Sequence, residues 1–383
     1  IALLDINDCG LQLWNGDTHL QSPGYALLHG QQYRFGAPAR AAARLQPRDI
    51  NTRYWWQLST EALQPSLGPA RHTGDLVHAH LQDLHREAGQ PGEMVLAVSG
   101  SMQREQLALL LGIVQQCPFD AVGLVNRSVA LGSLYGAAGR LFHLELQLHQ
   151  AVLSELAPDG DRIQLARTTP LPGCGLLQLQ ERLVEIIAAA FIRQTRFDPR
   201  RKADSEQQLY DSLPEALREL EDAAQTNLEV NGYRARIERE QLEEAGQRLF
   251  GGLREAMGAA QASDRILLDP IAGLLPGLEA QLPECERLST DAMWQAAGRH
   301  GEHLVQREQA LNFVTTLPSL ATPAPSIQRE DRPTLIPQPN PAPAKPAPQP
   351  EQAGQPTHLL QGARAHLLQD AGTRVEDGCE LYA

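Results

Sequence analysis

Residues 94–138 of this chain switch twice between the two periodicities that define strands and helices, and that alternation limits the folds open to it. MVLAVSG (94–100) has the length and composition of a buried strand. SMQREQLALLLGIVQQC (101–117) then places apolar residues at 107, 110, 111 and 114, one face of a helix, with Ser101 as its expected N-cap. DAVGLVN (120–126) reads as the next strand and RSVALGSLYGAA (127–138) as the next helix. Strands joined by crossover helices indicate an α/β architecture.

The rest of residues 1–320 follows the same alternation. IALLDI opens as a strand, and LQLWNGD continues it after a Gly turn, as a hairpin does. LFHLELQLHQAVLSEL and DRIQLARTTPL read as a pair of longer strands, followed by a helix from about 176 to 193. DSLPEALRELEDAAQ and REQLEEAGQRLFGGLREAMGAA read as long helices, and DRILLDPIAGLLPGLEAQL as strand, turn and helix. Of the adjacent Trp55 and Trp56, which face opposite sides if extended, at least one is expected to be buried.

Near residue 320 the composition changes. Residues 323–356 hold 11 of the 27 prolines, mixed with Ala and Gln, which excludes helix and central strand. Residues 321–356 are therefore expected to form an extended linker, and 357–383 a short β-like tail, too small to bury a core alone.

Charge and cysteine usage narrow the function classes. With 33 basic against 46 acidic residues the net charge is −13, which opposes non-specific binding to nucleic acid or to an anionic membrane and leaves protein partners as the expectation. No oligomeric state is read from the sequence. The five cysteines (Cys9, Cys117, Cys174, Cys285 and Cys379) form no paired spacing, so reduced thiols in a cytoplasmic protein are expected. IALLDIND carries no basic leader, and the longest apolar runs, such as 186–192, are far short of a bilayer span.

Several stretches, in order, resemble the ATPase domain of the 70-kDa heat-shock (DnaK-like) chaperones, of the actin and sugar-kinase superfamily. They are YRFGAPARAAARLQPRDINTRYWW (33–56), LAVSGSMQREQLALLLGIVQQCPFDAVGLVNRSVALGSLYG (96–136), ERLVEIIAAAF (181–191), NGYRARIEREQLEE (231–244) and ILLDPIAGLLPGLEAQL (266–282). The resemblance implies a two-lobed, actin-like fold with ribonuclease-H-like subdomains over 1–320. It also implies a Mg-ATP site between the lobes, built from two Gly-rich phosphate hairpins, metal-organising carboxylates and a catalytic Lys.

At those positions the chain departs from the family. Asp5 matches a metal-organising carboxylate, but Asn7 stands for a Gly and Asp8 for a Thr. The second hairpin lines up with His143–Leu148, where Glu145 and its neighbours alternate polar and apolar like a plain half-buried strand. Gln57 falls near the catalytic Lys, Asn126-Arg127-Ser128 replaces Asn-Glu-Pro, Leu217, Arg218 and Glu221 replace the adenine-holding residues, and Pro270-Ile271 replaces the adenosine Gly-Gly. Side chains where backbone must approach phosphate, with Asp8 and Glu145 adding negative charge, imply no cofactor. The expected function is a chaperone-like pseudo-ATPase acting as a protein-interaction scaffold, with no catalysis expected of it; the alternative is a divergent chaperone or regulator that still binds Mg-ATP. His143 and His149, six residues apart with no third ligand nearby, are expected to be structural.

Overall fold

The computed structural model describes residues 1–319, save 137, 138, 260, 262, 283, 308 and 309, together with the strand residues 358–361, 364–367 and 380–382. The chain divides into Ile1–Ala324 and Pro325–Ala383. The expected linker, 321–356, lies outside the described residues. In the tail, strands His358–Gln361, Arg364–Leu367 and Glu380–Tyr382 form a three-stranded antiparallel sheet.

In chain order, the first unit starts with β1 (Ala2–Ile6), β2 (Leu11–Asn15) and β3 (Thr18–Ser22). A small sheet of β4 (Ala26–His29), β5 (Gln32–Phe35) and β6 (Ile50–Asn51) follows, with α1 (Ala37–Ala41) between its last two strands. Then come α2 (Thr73–Glu87), β7 (Glu93–Val98), α3 (Arg104–Val114), β8 (Asp120–Asn126) and α4 (Arg127–Gly132). The second half brings β9 (Leu141–Leu146), β10 (Gln150–Asp159), β11 (Arg162–Pro172), α5 (Leu176–Thr195) and α6 (Ala203–Asp222). The hairpin β12 (Gln225–Val230) and β13 (Tyr233–Glu238) precedes α7 (Arg239–Leu242), α8 (Gln247–Met257), β14 (Arg265–Leu268) and β15 (Glu284–Arg287). The unit ends with α9 (Ala292–Arg299), α10 (Gly301–Leu304), β16 (Phe313–Val314) and β17 (Thr316–Pro318).

These strands build two sheets of one pattern. The first runs β3-β2-β1-β7-β8 and the second β11-β10-β9-β14-β15. In each, three strands joined by hairpins pair antiparallel, and two further strands add in parallel on the far side of the first. The segment 313–318 adds β16 to the β8 edge of one sheet and β17 to the β11 edge of the other. The α/β class follows, as mixed sheets with crossover helices.

Strand alternation explains where the cores lie. Along β1, Ala2, Leu4 and Ile6 pack with α2 and α3, while Leu3 joins a second core, with residues of α4, α9 and both sheets. Along β9, Phe142, Leu144 and Leu146 pack with α8, while Leu141 joins that second core. Asp5 shares its face with Leu3, and His143 and Glu145 share theirs with Leu141. Both sets therefore point into the layer between the sheets.

Four elements differ from the sequence expectation. The helix over 101–117 is capped by Gln103 rather than Ser101: its backbone N–H donates to Gln106 Oε1 at 3.0 Å. The run 141–156 is two strands, because Gln147 N donates to Gln150 O at 2.9 Å and closes a turn without Gly, Pro or Asn. The long helix over 239–260 is broken into α7, a 3-10 turn and α8. After β14 the chain makes two 3-10 turns around Gly277, whose φ of 80° is left-handed and interrupts an α-helix there.

Candidate functional site

Among the side chains that β1, β9 and the end of β14 send between the sheets are three carboxylates, Asp5, Glu145 and Asp269, and α4 delivers one cation to them. Asn126 ends β8 and caps α4, accepting from Val129 N at 3.0 Å, which fixes Arg127 as the first residue of the helix. A cation at a helix N-terminus is disfavoured by the peptide dipoles, so Arg127 needs strong acceptors. It has them: Nε donates to Asp5 Oδ1 at 2.7 Å, and Nη1 to Asp269 Oδ1 and Oδ2 at 2.9 and 3.0 Å. Glu145 Oε2 lies 3.8 Å from Nη1. Arg127 is 5% exposed and the three carboxylates 2% or less, so this network is out of solvent.

His143 extends the network, with Nε2 at 3.2 Å from Asp269 Oδ1 and Nδ1 at 2.9 Å from Ser128 Oγ. Three carboxylates around one guanidinium leave negative charge in excess, and their titration reflects it. Burial pushes Asp5 and Glu145 above the usual carboxylate range despite Arg127. At Asp269 burial acts the same way, but Arg127 and His143 outweigh it and hold the carboxyl below that range. Burial opposes the charge on Arg127, yet Asp269, Asp5 and Glu145 raise its pKa further. Asp5 Oδ2, Glu145 Oε2 and Asn126 Nδ2 are buried without a hydrogen-bond partner.

The two hairpins beside this network touch directly. Asn7 Nδ2 donates to Leu146 O and to Asp269 Oδ2, both at 3.1 Å, and Leu148 N donates to Asp8 Oδ1 at 2.7 Å. The β1–β2 turn is thus tied to the β9–β10 turn by two side chains, and a glycine at position 7 would lack the first of these ties. Asp8 is buried, and burial pushes its carboxyl up to about 7.

Of the residues singled out from the sequence, Asp5, Asn7, Arg127, His143 and Glu145 meet in this cluster, with Asp8 and Asn126 against it. Pro270 and Ile271 directly follow Asp269. Gln57 is exposed and lines a cavity together with Asp8. Glu221 pairs instead with Arg287, in a separate pocket that also holds Leu217 and Pro276, and Arg218 is exposed on α6. His149 stacks on Trp56 and bonds Thr52, while Trp55 is buried. Among the described residues no group of three or more His, Cys, Asp or Glu side chains is placed so that it could hold a metal ion.

Two sequence readings are corrected. The polar face of β9 is not half-exposed: His143, Glu145 and, just beyond the strand, Gln147 are all under 9% exposed, because His143 meets Ser128 and Asp269, and Glu145 meets Arg127 and Gln147. Nor do Asp8 and Glu145 stand as free charges; one is bonded by Leu148 N, the other by Gln147 Nε2 at 2.6 Å, and burial favours the neutral form of both. Asp269 escaped the sequence reading. A signal for it exists, since LLD recurs at 3–5 and 267–269, each time where an apolar strand ends in a carboxylate.

No helix among the described residues is long and apolar enough to cross a membrane. Comparison with protein-family models and with curated proteins returns no match.

Proposed function

We propose that this chain is a pseudo-ATPase, a protein-interaction body built on the two-lobed, actin-like fold of the 70-kDa heat-shock ATPases, with its nucleotide site closed from within. The repeated sheet pattern supports the fold: three antiparallel strands followed by two parallel ones, twice, is the ribonuclease-H-like arrangement that the resemblance implies.

The observation that carries the function is Arg127. Its guanidinium lies among Asp5, Asp269 and Glu145, beside the one carboxylate, Asp5, that the resemblance assigns to organising a hydrated metal ion, and it already uses oxygens of both aspartates. A bound Mg2+ would be driven off by the fixed positive charge and would find Asp5 Oδ1 and both Asp269 oxygens already bonded. The direct ties of Asn7 and Asp8 to the facing hairpin fill the gap that a polyphosphate needs. Such an ion network stabilises little against an apolar core but specifies one arrangement, which suits a scaffold more than a clamp that opens and closes.

Protein partners fit this reading, as does the cytoplasm, since Cys9, Cys117, Cys174 and Cys285 are free thiols. Thermal unfolding with and without Mg-ATP tests the closed site: an unchanged midpoint is expected, and a rise of several degrees would reject it. Co-purification of partner proteins with the full chain, and with a chain lacking 321–383, tests the scaffold. Failure of both to retain any protein would reject that role.

A further inference from the structure

Beside the tied hairpins lies a cavity of about 360 Å³. Its polar wall comes from three places, the β9–β10 turn, the segment from the end of β7 into α3, and residues 55–57, with Ile6, Asp8 and Pro170 completing it. Five of its lining side chains are primary amides, Gln57, Gln103, Gln106, Gln147 and Gln150. Ser99 and Ser101 add hydroxyls, and Trp55 and Trp56 contribute indoles. Among the lining residues there is no Lys, Arg or His, and Asp8 is the one acid.

That chemistry selects its ligand by elimination. A phosphate or carboxylate ligand would need a cation in the wall, and a cationic ligand would need more than one carboxylate, the one present already accepting from Leu148 N. Primary amides and hydroxyls both donate and accept, so this wall matches a neutral ligand whose own groups do both. A peptide main chain presents its N–H and C=O groups in a strip, whereas these amides converge on a compact space from three sides. Hydroxyls radiating from a ring fit that arrangement.

The wall is also ordered in advance. Gln150 Nε2 donates to Gln147 Oε1 at 2.8 Å, and both glutamines lie 3.4 Å from Ser101 Oγ. Trp56 is held by Gln106, which donates to its carbonyl at 3.0 Å, and by stacking on His149 at 5.2 Å between ring centroids. A rigid, half-buried indole offers an apolar plate to the C–H face of a ring. We propose that this cavity binds a neutral, hydroxyl-rich ligand of sugar-ring size, stacked on Trp56 and hydrogen-bonded by Gln57, Gln103 and the Gln147–Gln150 pair. This goes beyond the pseudo-ATPase reading and does not depend on it.

Ligand-observed saturation-transfer NMR on the full chain tests the site. The probes are glucose, galactose, mannose and N-acetylglucosamine, with tetraglycine and ATP as separate arms. Saturation transfer to at least one sugar at millimolar concentration is expected. Trp56→Ala should weaken that sugar about tenfold, the scale of one lost aromatic contact. Gln57→Ala serves as the second variant; its exposed side chain holds no part of the fold together, so a several-fold loss there reports ligand contact. The proposal is overturned if no sugar binds, if neither variant weakens binding, or if tetraglycine or ATP binds and the sugars do not.

Discussion

Replacing Arg127 by Met keeps most of the side-chain volume and removes the charge. The variant loses the hydrogen bonds of 2.7, 2.9 and 3.0 Å to Asp5 and Asp269 and leaves two aspartates and Glu145 facing one another in the interior. Breaking a buried ion pair from one side costs about 3–5 kcal/mol, a large fraction of the roughly 5–15 kcal/mol that holds a typical protein folded. The deficit should depend on pH with a definite sign. Without Arg127, all three folded-state carboxyl pKa values rise, those of Asp5 and Glu145 further above their unfolded values and that of Asp269 out of its depressed range, so the folded variant binds more protons than its unfolded form, and its stability falls as pH rises from about 4. Urea unfolding followed by circular dichroism should therefore show a larger deficit at pH 8 than at pH 5, at unchanged m-value. The double variant Arg127→Met, Asp269→Asn removes one of the stranded charges and should recover at least about 1 kcal/mol. A deficit under about 1 kcal/mol at pH 8, or one independent of pH, would refute the claim that Arg127 neutralises a buried acidic cluster.

Asp8→Asn keeps an oxygen for Leu148 N and abolishes a carboxyl that burial raises to about 7. The folded state holds that proton between about pH 4 and pH 7 while the unfolded chain does not, so wild type loses stability across that window and the variant does not. The substitution should leave stability unchanged below pH 4 and raise it at pH 8, by at most about 4 kcal/mol, as read by thermal or urea unfolding at both pH values. At the β7–β8 bulge, a Cβ on Gly123 would meet Leu304 O at 2.3 Å, a backbone atom that cannot swing away. Gly123→Ala should cost about 1–3 kcal/mol in the same assay, whereas Gly112→Ala, inside α3 where a Cβ meets nothing, should gain about 0.5–1 kcal/mol from helix propensity.

Much of the architecture was legible because it rests on period and polarity. The strands at 2–6, 93–98 and 120–126 and the helix starting at 176 come from apolar runs and helical spacing that local sequence displays. The turn at Gln147–His149 was not legible, since it is closed by one backbone hydrogen bond and carries none of the usual turn residues. Conversely, the Asn231-Gly232 turn of β12–β13, with φ of 51° and 80°, carries the strongest local hairpin signal in the chain's own residues, Asn-Gly between two alternating runs. At the site, individual departures such as Asn7, Arg127 and Glu145 could be named one by one. That Arg127 answers Asp5 and Asp269, 122 and 142 residues away, depends on how two sheets pack, and no local pattern encodes it.

The central claim is that this cleft has been closed to nucleotide by its own side chains, and isothermal titration of the full chain with ATP and Mg2+ tests it most directly. No binding heat is expected at micromolar concentrations. A dissociation constant below about 10 μM, near −7 kcal/mol, would contradict it.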